Sequence, residues 1–459
     1  MRLEEVLNLA KEYMLLGILL LITFILGYIF IYKKLLKGRK KLSKNKIPLK
    51  VILAIYIIIV LGATLGSRHS NIASVNLHLF SSYKEAYNSF SMVEWRTLIL
   101  NILMFIPLGF MIPLLFDKAK KWHTSYFIGF LLTLSIEAIQ FITKRGSFDI
   151  DDIINNALGY MIGYGIVMIF ISVYNKNNKV LASLMYQIPL IITIITFSTI
   201  FVTYSKKELG NLSITHIYNV DMSTVDVFSK VNFDDKLSTA YVYKAPVGNK
   251  EEALKFANEF FSLLNTKVDE SQNDEYDETT IFNSEDNNYK LWVNYKGFTT
   301  WFINNSSEYN GKENLSYKDI QNLLSKYNIN LPNEAKFEDC KDGNYKITVD
   351  MVKSNNNFLD GELNCQISKD NTVYSIKNDI ISYEPYKEYD ILSLNEAYNK
   401  IKNGEFKSYD LEKESNKIDI IDGKLDYKLD SKGFYQPIYT FNVEVNGSLS
   451  EIEIPALKK

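Results

Sequence analysis

An α-helical polytopic membrane bundle followed by an extracytoplasmic α+β domain is what this sequence predicts, and three observations predict it. Six apolar stretches crowd the first 204 positions, at roughly 14–32, 48–66, 97–116, 125–143, 153–174 and 180–204. Crossing a hydrocarbon core takes about 20 such residues. Charge divides the 459-residue chain at the same place: 1–204 hold 21 basic and 10 acidic residues, a net +11, and 205–459 a net −13. After 204 the pattern alternates between amphipathic helices and strands. That division excludes a single soluble enzyme, a collagenous chain and a mostly disordered one. The abundance of Ile, Asn, Lys and Tyr suggests a bacterial source.

The first stretch does not read as a signal peptide. Glu4, Glu5 and Glu12 precede it, no small-residue cleavage site follows, and a basic block comes next. That block (Lys33, Lys34, Lys37, Arg39, Lys40, Lys41, Lys44, Lys46 and Lys50) contains no acid and predicts a cytoplasmic loop. Parity then puts 117–124 and 175–179, both net basic, on the same side. The N-terminus, 67–96, 144–152 and the whole of 205–459 are expected outside, in a multi-pass protein of the bacterial plasma membrane. A nucleic-acid role for the basic loop is the weaker reading, since it lacks interleaved aromatics.

Polar side chains within spans are few, and they are costly there. The third span has Asn101, then Pro107 and Gly109. The fourth has Glu137 and Gln140; the fifth opens with Asp151 and Asp152 and carries Asn155 and Asn156. Arg145 and Asp149 lie between these two. With a rise of 1.5 Å per residue, Asn101, Glu137 and Asn156 fall roughly 5–9 Å below the outer boundary, with Asp152 and Arg145 at its edge. Asp152, Asn156, Gly159 and Gly163 share a helix face, and Gly159 with Gly163 makes a G-x-x-x-G step for close helix approach. Pro107 is expected to bend the third span. Two readings follow: polar glue between helices, which accounts for Asn101 and Gln140, or an outward-facing pocket, which better accounts for the ionisable Glu137. We expect the pocket, with Asn101, Glu137, Gln140, Arg145, Asp149, Asp151, Asp152 and Asn156 as candidate ligand-binding residues.

These residues resemble a known family. Asn101 with Phe105-x-Pro107-Leu108-Gly109, then Glu137-x-x-Gln140, then Arg145 with Asp149-x-Asp151-Asp152-x-x-x-Asn156-x-x-Gly159, is similar to the VanZ family. Ser67-Arg68, Val75-Asn76-Leu77 and Ser82-Tyr83 match more loosely. The resemblance covers about 50–172. It implies a membrane protein whose founding relatives lower susceptibility to teicoplanin-type glycopeptides, with a lipid-linked cell-wall precursor or the glycopeptide itself as the expected partner. No reaction is implied, and no catalytic residue, cofactor or metal is expected. The chain has no G-x-S-x-G turn and no H-E-x-x-H pair, and His69, His78, His123 and His216 are scattered. Glu137 and Asp152 as an acid/base pair, with Arg145 clamping a lipid phosphate, is the minority reading, because nothing supplies a nucleophile.

Beyond 204, helices are expected at 250–264, from Ser316 to just before Pro332, and from Ser393 to Gly404. Strands are expected at 289–295, 299–304, 345–352, 358–367, 373–381, 418–429, 435–445 and 449–454, the last two joined by an Asn446-Gly447 hairpin turn. The acidic run 269–278 reads as a solvated tip, since calcium-loop spacing is missing. Helix-then-strands occurs near 250–304 and again near 393–454. This half resembles the PepSY-like modules of YycH/YycI-type extracytoplasmic regulators, through that pattern and the Ser393-x-x-Glu396-Ala397 entry. It implies two similar modules and an envelope protein partner, with 205–459 as a sensor or regulator. Cys340 and Cys365 are candidates for a disulfide in an oxidising compartment. A pair of free thiols is the alternative in reducing surroundings.

Overall fold

The computed structural model describes residues 47–66, 75–174, 183–214, 220–236, 238–276, 278–306, 308–406 and 416–458. The expected first span at 14–32, most of the basic loop after it, the loop 175–179 and Ser67-Arg68 lie outside these residues. The chain divides into two compact units, Met1–Lys207 and Glu208–Lys459.

Among the described residues of the first unit, five helices are long and apolar enough to cross a membrane, where six spans were expected for the whole chain. Its helices are α1 (Ile47–Leu61), α2 (Ser81–Ser89), α3 (Met92–Leu115), α4 (Trp122–Thr143), α5 (Ile150–Tyr174) and α6 (Ile188–Ser205). Two short parallel strands, β1 (Val75–Asn76) and β2 (Phe148–Asp149), pair between them. A π-helical turn, Gly62–Gly66, continues α1. Helix α3 begins at Met92 rather than near 97 because Ser91 caps it, its side chain accepting from the Val93 N–H. Ile191, Ile192, Ile194 and Ile195 of α6 stand exposed, as side chains facing lipid do.

Close packing of α3 on α5 is set by glycines. A Cβ added to Gly159 would lie 1.9 Å from Ile102 O, one on Gly163 2.0 Å from Ile106 O, and one on Gly109 2.0 Å from Tyr160 O. Backbones this near admit only hydrogen at those positions. Pro107 and Pro113 are carried within α3 without ending it. One turn before Pro107, Met104 O accepts the Tyr56 hydroxyl at 2.7 Å, tying α1 to this stretch.

The second unit is mostly β-sheet. Its helices are α7 (Lys250–Ser262), α8 (Tyr317–Leu324) and α9 (Leu394–Lys402). Its strands are β3 (Val225–Ser229), β4 (Ser238–Lys244), β5 (Asp274–Glu275), β6 (Thr279–Asn283), β7 (Tyr289–Asn294), β8 (Thr300–Asn304), β9 (Lys336–Asp339), β10 (Asn344–Ser354), β11 (Asn357–Ile367), β12 (Val373–Asn378), β13 (Ile381–Ile391), β14 (Asn416–Leu429), β15 (Phe434–Val445) and β16 (Ser448–Pro455). All three helices start with a capping box, at Asn249/Glu252, Ser316/Asp319 and Ser393/Glu396. Asn446 and Gly447 take positive φ between β15 and β16, as a two-residue hairpin turn demands.

Among the described residues of this unit, two large apolar cores form, with a smaller one around Tyr243, Ile381, Tyr383 and Tyr435. One lies under α7 and α8 around Phe261, Phe282, Leu291, Phe302 and Ile347; the other lies around Ile401, Phe406, Ile418, Phe441 and Ile454, against α9. Strand β13 serves both halves: Ile381, Ser382 and Tyr383 pair with β11, and Glu384 onward pairs with β4. The expected helix running to Pro332 instead closes with a 3₁₀ turn ending at Tyr327, because Asn328 turns left-handed at φ 59°. Cys340 is exposed, Cys365 is buried, and both thiols are free. Strand β10 lies between them: Tyr345 pairs with Cys365 on one side and with Asp339, next to Cys340, on the other. Two strand spacings, about 9.6 Å, exceed the Cα separation a disulfide spans.

Candidate functional site

Five polar residues on or just before the first turns of α5 are tied to four other segments. Asp152 Oδ1 accepts from Asn101 Nδ2 of α3 at 2.6 Å. The Asp149 N–H donates to Glu137 Oε2 of α4 at 3.2 Å, and Asp149 Oδ2 accepts from Asn76 Nδ2 at 3.0 Å. Asp151 accepts from the N–H groups of Phe80, at 2.6 Å, and Ser82, at 2.9 Å. Asn155 Oδ1 accepts the Tyr83 hydroxyl, and Asn156 Nδ2 donates to Thr133 Oγ1 of α4 at 3.2 Å. Gln140, one turn after Glu137 on α4, donates to Thr64 O at 3.0 Å.

Local sequence explains the arrangement. Phe80 precedes α2 in a left-handed conformation, φ 61°, and has no side-chain oxygen with which to cap it. Asp151 supplies the missing acceptor from another part of the chain and satisfies two otherwise orphaned N–H groups. Asp149 also accepts from the Asp151 N–H at 2.8 Å, fixing the turn into α5. Asp149 and Asp151, expected as pocket-lining groups, are thus engaged with 76–82. Tyr83, on α2 above the spans, has its phenol pushed up to about 12, by burial first and then by the negative charges of Asp151 and Asp152.

Burial makes the cluster unusual. Glu137 is 1% exposed and Asp151 0%, in a bundle of apolar helices. An ionisable group there is retained only with partners. Three polar atoms in the same cluster, Gln140 Oε1, Asn155 Nδ2 and Asn156 Oδ1, are buried without a hydrogen-bond partner among the described residues. Each unmade bond costs about 1–3 kcal/mol. Arg145 stands exposed on the loop before β2. Sequence reasoning missed Asn76, Tyr83, Thr133 and Asn155 as members. The signal for two of them lay in the looser matches Val75-Asn76-Leu77 and Ser82-Tyr83.

An aromatic cluster holds α6 to this end of the bundle. Phe90 stacks on Tyr204, and Trp95 meets Phe197 and Phe201 edge-on or tilted. Tyr83 also approaches Phe197, at 6.4 Å between ring centroids, so α2 touches both α5 and α6.

Residues 49–171 match a family model described as VanZ/LLP1. This segment is a VanZ-like domain. It holds every member of the polar cluster, from Thr64 to Asn156. Across 136 residues the chain is 29% identical to Protein VanZ of Enterococcus faecium, an alignment covering 29% of this chain and 78% of that protein. Similarity to solved structures is remote. An uncharacterized protein from Eubacterium rectale ATCC 33656 aligns at 12% identity and TM-score 0.24, over 51% of this chain and 88% of its own. The Bacillus megaterium YpeB C-terminal domain aligns at 13% identity and TM-score 0.20, over 46% and 98%. Neither TM-score assigns a fold relationship.

Proposed function

We propose that the VanZ-like domain binds the polar head of a lipid-linked cell-wall intermediate at the outward end of the bundle, and so lowers susceptibility to teicoplanin-type glycopeptides. The observation that carries this reading is the set of buried, unpartnered polar atoms Gln140 Oε1, Asn155 Nδ2 and Asn156 Oδ1 beside the buried carboxyl of Glu137. A bound head group offering hydroxyls and amides would complete those bonds, whereas glue between helices leaves them unmade. The orientation rests on the basic loops, which keep 117–124 inside and put both the polar cluster and the C-terminal unit outside. Cys340 and its neighbours then face the envelope, where the acidic unit meets other envelope components.

Glycopeptide susceptibility of cells expressing the wild type, Glu137→Gln, Asp152→Asn and a truncation after 204 tests the proposal. Both substitutions preserve shape and remove charge, so both should abolish the phenotype at unchanged membrane abundance, while truncation weakens it without erasing it. If truncation alone abolishes function and both substituted proteins are fully active, the working part is the outer unit acting as a sensor. Turnover of a labelled lipid precursor would instead favour an enzyme acting on a lipid phosphate.

A further inference from the structure

The second unit contains a groove far from the VanZ-like domain in sequence, and its inference stands independently of the reading above. Helix α7 forms one wall with Phe256, Glu259 and Leu263, the 327–332 segment forms the other, and Phe298 closes one end. Its volume is about 430 Å³, within the range of about 300–1,000 Å³ that ligand sites occupy. The wall is built by helix periodicity: Phe256 and Phe260 stack one turn apart at 6.3 Å, Phe298 lies 6.3 Å from Phe256, and Tyr327 lies 5.9 Å from Phe260. Ile329, Leu331 and Ile380 complete an apolar floor, and Asn328, Asn330 and Ser382 supply amides and a hydroxyl at the rim.

Charge limits what can enter. Glu259 is the one charged side chain among the lining residues, and it is exposed at the rim. The stretch 205–459 has a net charge of −13, so an anionic ligand is repelled and a cationic one drawn in. An aromatic wall beside a carboxylate stabilises an ammonium or guanidinium group twice, through the ring faces and through the ion pair. The aromatic and aliphatic lining fits an apolar side chain better than a hydroxyl-dense sugar. We infer that this groove binds a peptide segment bearing an apolar side chain next to a lysine or arginine, with the apolar side chain on the Phe260–Ile329 floor and the cation at Glu259 and Phe256.

Fluorescence polarisation on the full chain in phosphatidylcholine nanodiscs tests this, with labelled Gly-Lys-Phe-Lys-Gly and Gly-Glu-Phe-Glu-Gly as probes and empty nanodiscs as the blank. The basic probe should bind saturably and the acidic one should not. Glu259→Lys, an exposed change that leaves the core intact, should weaken binding about tenfold, and Leu263→Trp should block the groove. No binding of the basic probe, equal binding of both, or two silent substitutions would overturn the inference. Binding of chitotriose in place of the basic probe would overturn it in favour of a glycan site.

Discussion

Asn101 Nδ2 donates to Asp152 Oδ1 across 2.6 Å, joining α3 to α5 at the end of their contact where the spacing glycines begin. The bond needs an amide on α3 but not a charge on α5. Asn101→Leu should therefore lower the melting temperature of the detergent-solubilised protein, by a loss of about 1–3 kcal/mol. Asp152→Asn, which keeps an acceptor, should melt like the wild type. Equal melting of all three proteins would count against this bond.

The Asp151 cap makes its own prediction. Asp151→Ala removes the acceptor for the Phe80 and Ser82 N–H groups, a change worth about 1–2 kcal/mol where caps have been measured. Hydrogen exchange at 80–89 should quicken while exchange within α4 stays unchanged. Uniform quickening across the bundle would mean that the cap holds more than α2.

Gly159→Ala and Gly163→Ala should be among the most damaging single methyl additions in the membrane half, together with Gly109→Ala. Each would put a carbon about 2 Å from a carbonyl oxygen of the facing helix. Little monodisperse protein should elute on size exclusion, whereas Gly447→Ala, strained by its φ of 87° but with open space around its Cβ position, should still elute as a single species.

Asp360 should make the second unit's stability depend on pH. Burial raises its pKa, with the charges of Asp350 and Asp426 adding to the rise, and hydrogen bonds from the Tyr435 hydroxyl and the Met351 N–H oppose it. The folded protein thus holds this proton more tightly than the unfolded chain. Stability is fully present below the ordinary Asp value of about 4 and declines as pH rises through the folded value. Asp360→Asn should remove that decline in urea titrations across this range. A variant that retains the full decline would clear Asp360 of the effect.

Membrane-impermeant maleimide on intact cells checks the orientation with the native residues. Cys340 is exposed and should label, while Cys365, buried and with its thiol pushed up to about 12 by that burial, should label only after denaturation. Failure of Cys340 to label until the cells are opened would place the second unit inside.

Signals within about twenty residues of one another were readable in the chain. The apolar stretches of α3 to α5, the capping boxes at Ser316 and Ser393 and the Asn446-Gly447 turn are of that kind, since length, spacing or a single turn determines each. Counting along the helices put Asp152 at the outer edge just above Asn101, and the two are bonded. Helix α2 went unread because its cap comes from Asp151, out of reach of any local pattern. Strand β13 carries Pro385, a bulge there and a run of charges that disguise its alternation. Strand β3 owes its place to a parallel pairing with β14, set entirely by distant chain.

Because β13 gives its first residues to β11 and the rest to β4, the second unit has no internal cutting point. Excising either half would strip one end of this strand and bare a row of unpaired N–H and C=O groups, the template on which chains stack edge to edge. A fragment holding one core alone is therefore a candidate for aggregation rather than a smaller domain. Insertions and deletions that spread through the chain's relatives should spare 381–391 and collect in the turns on either side.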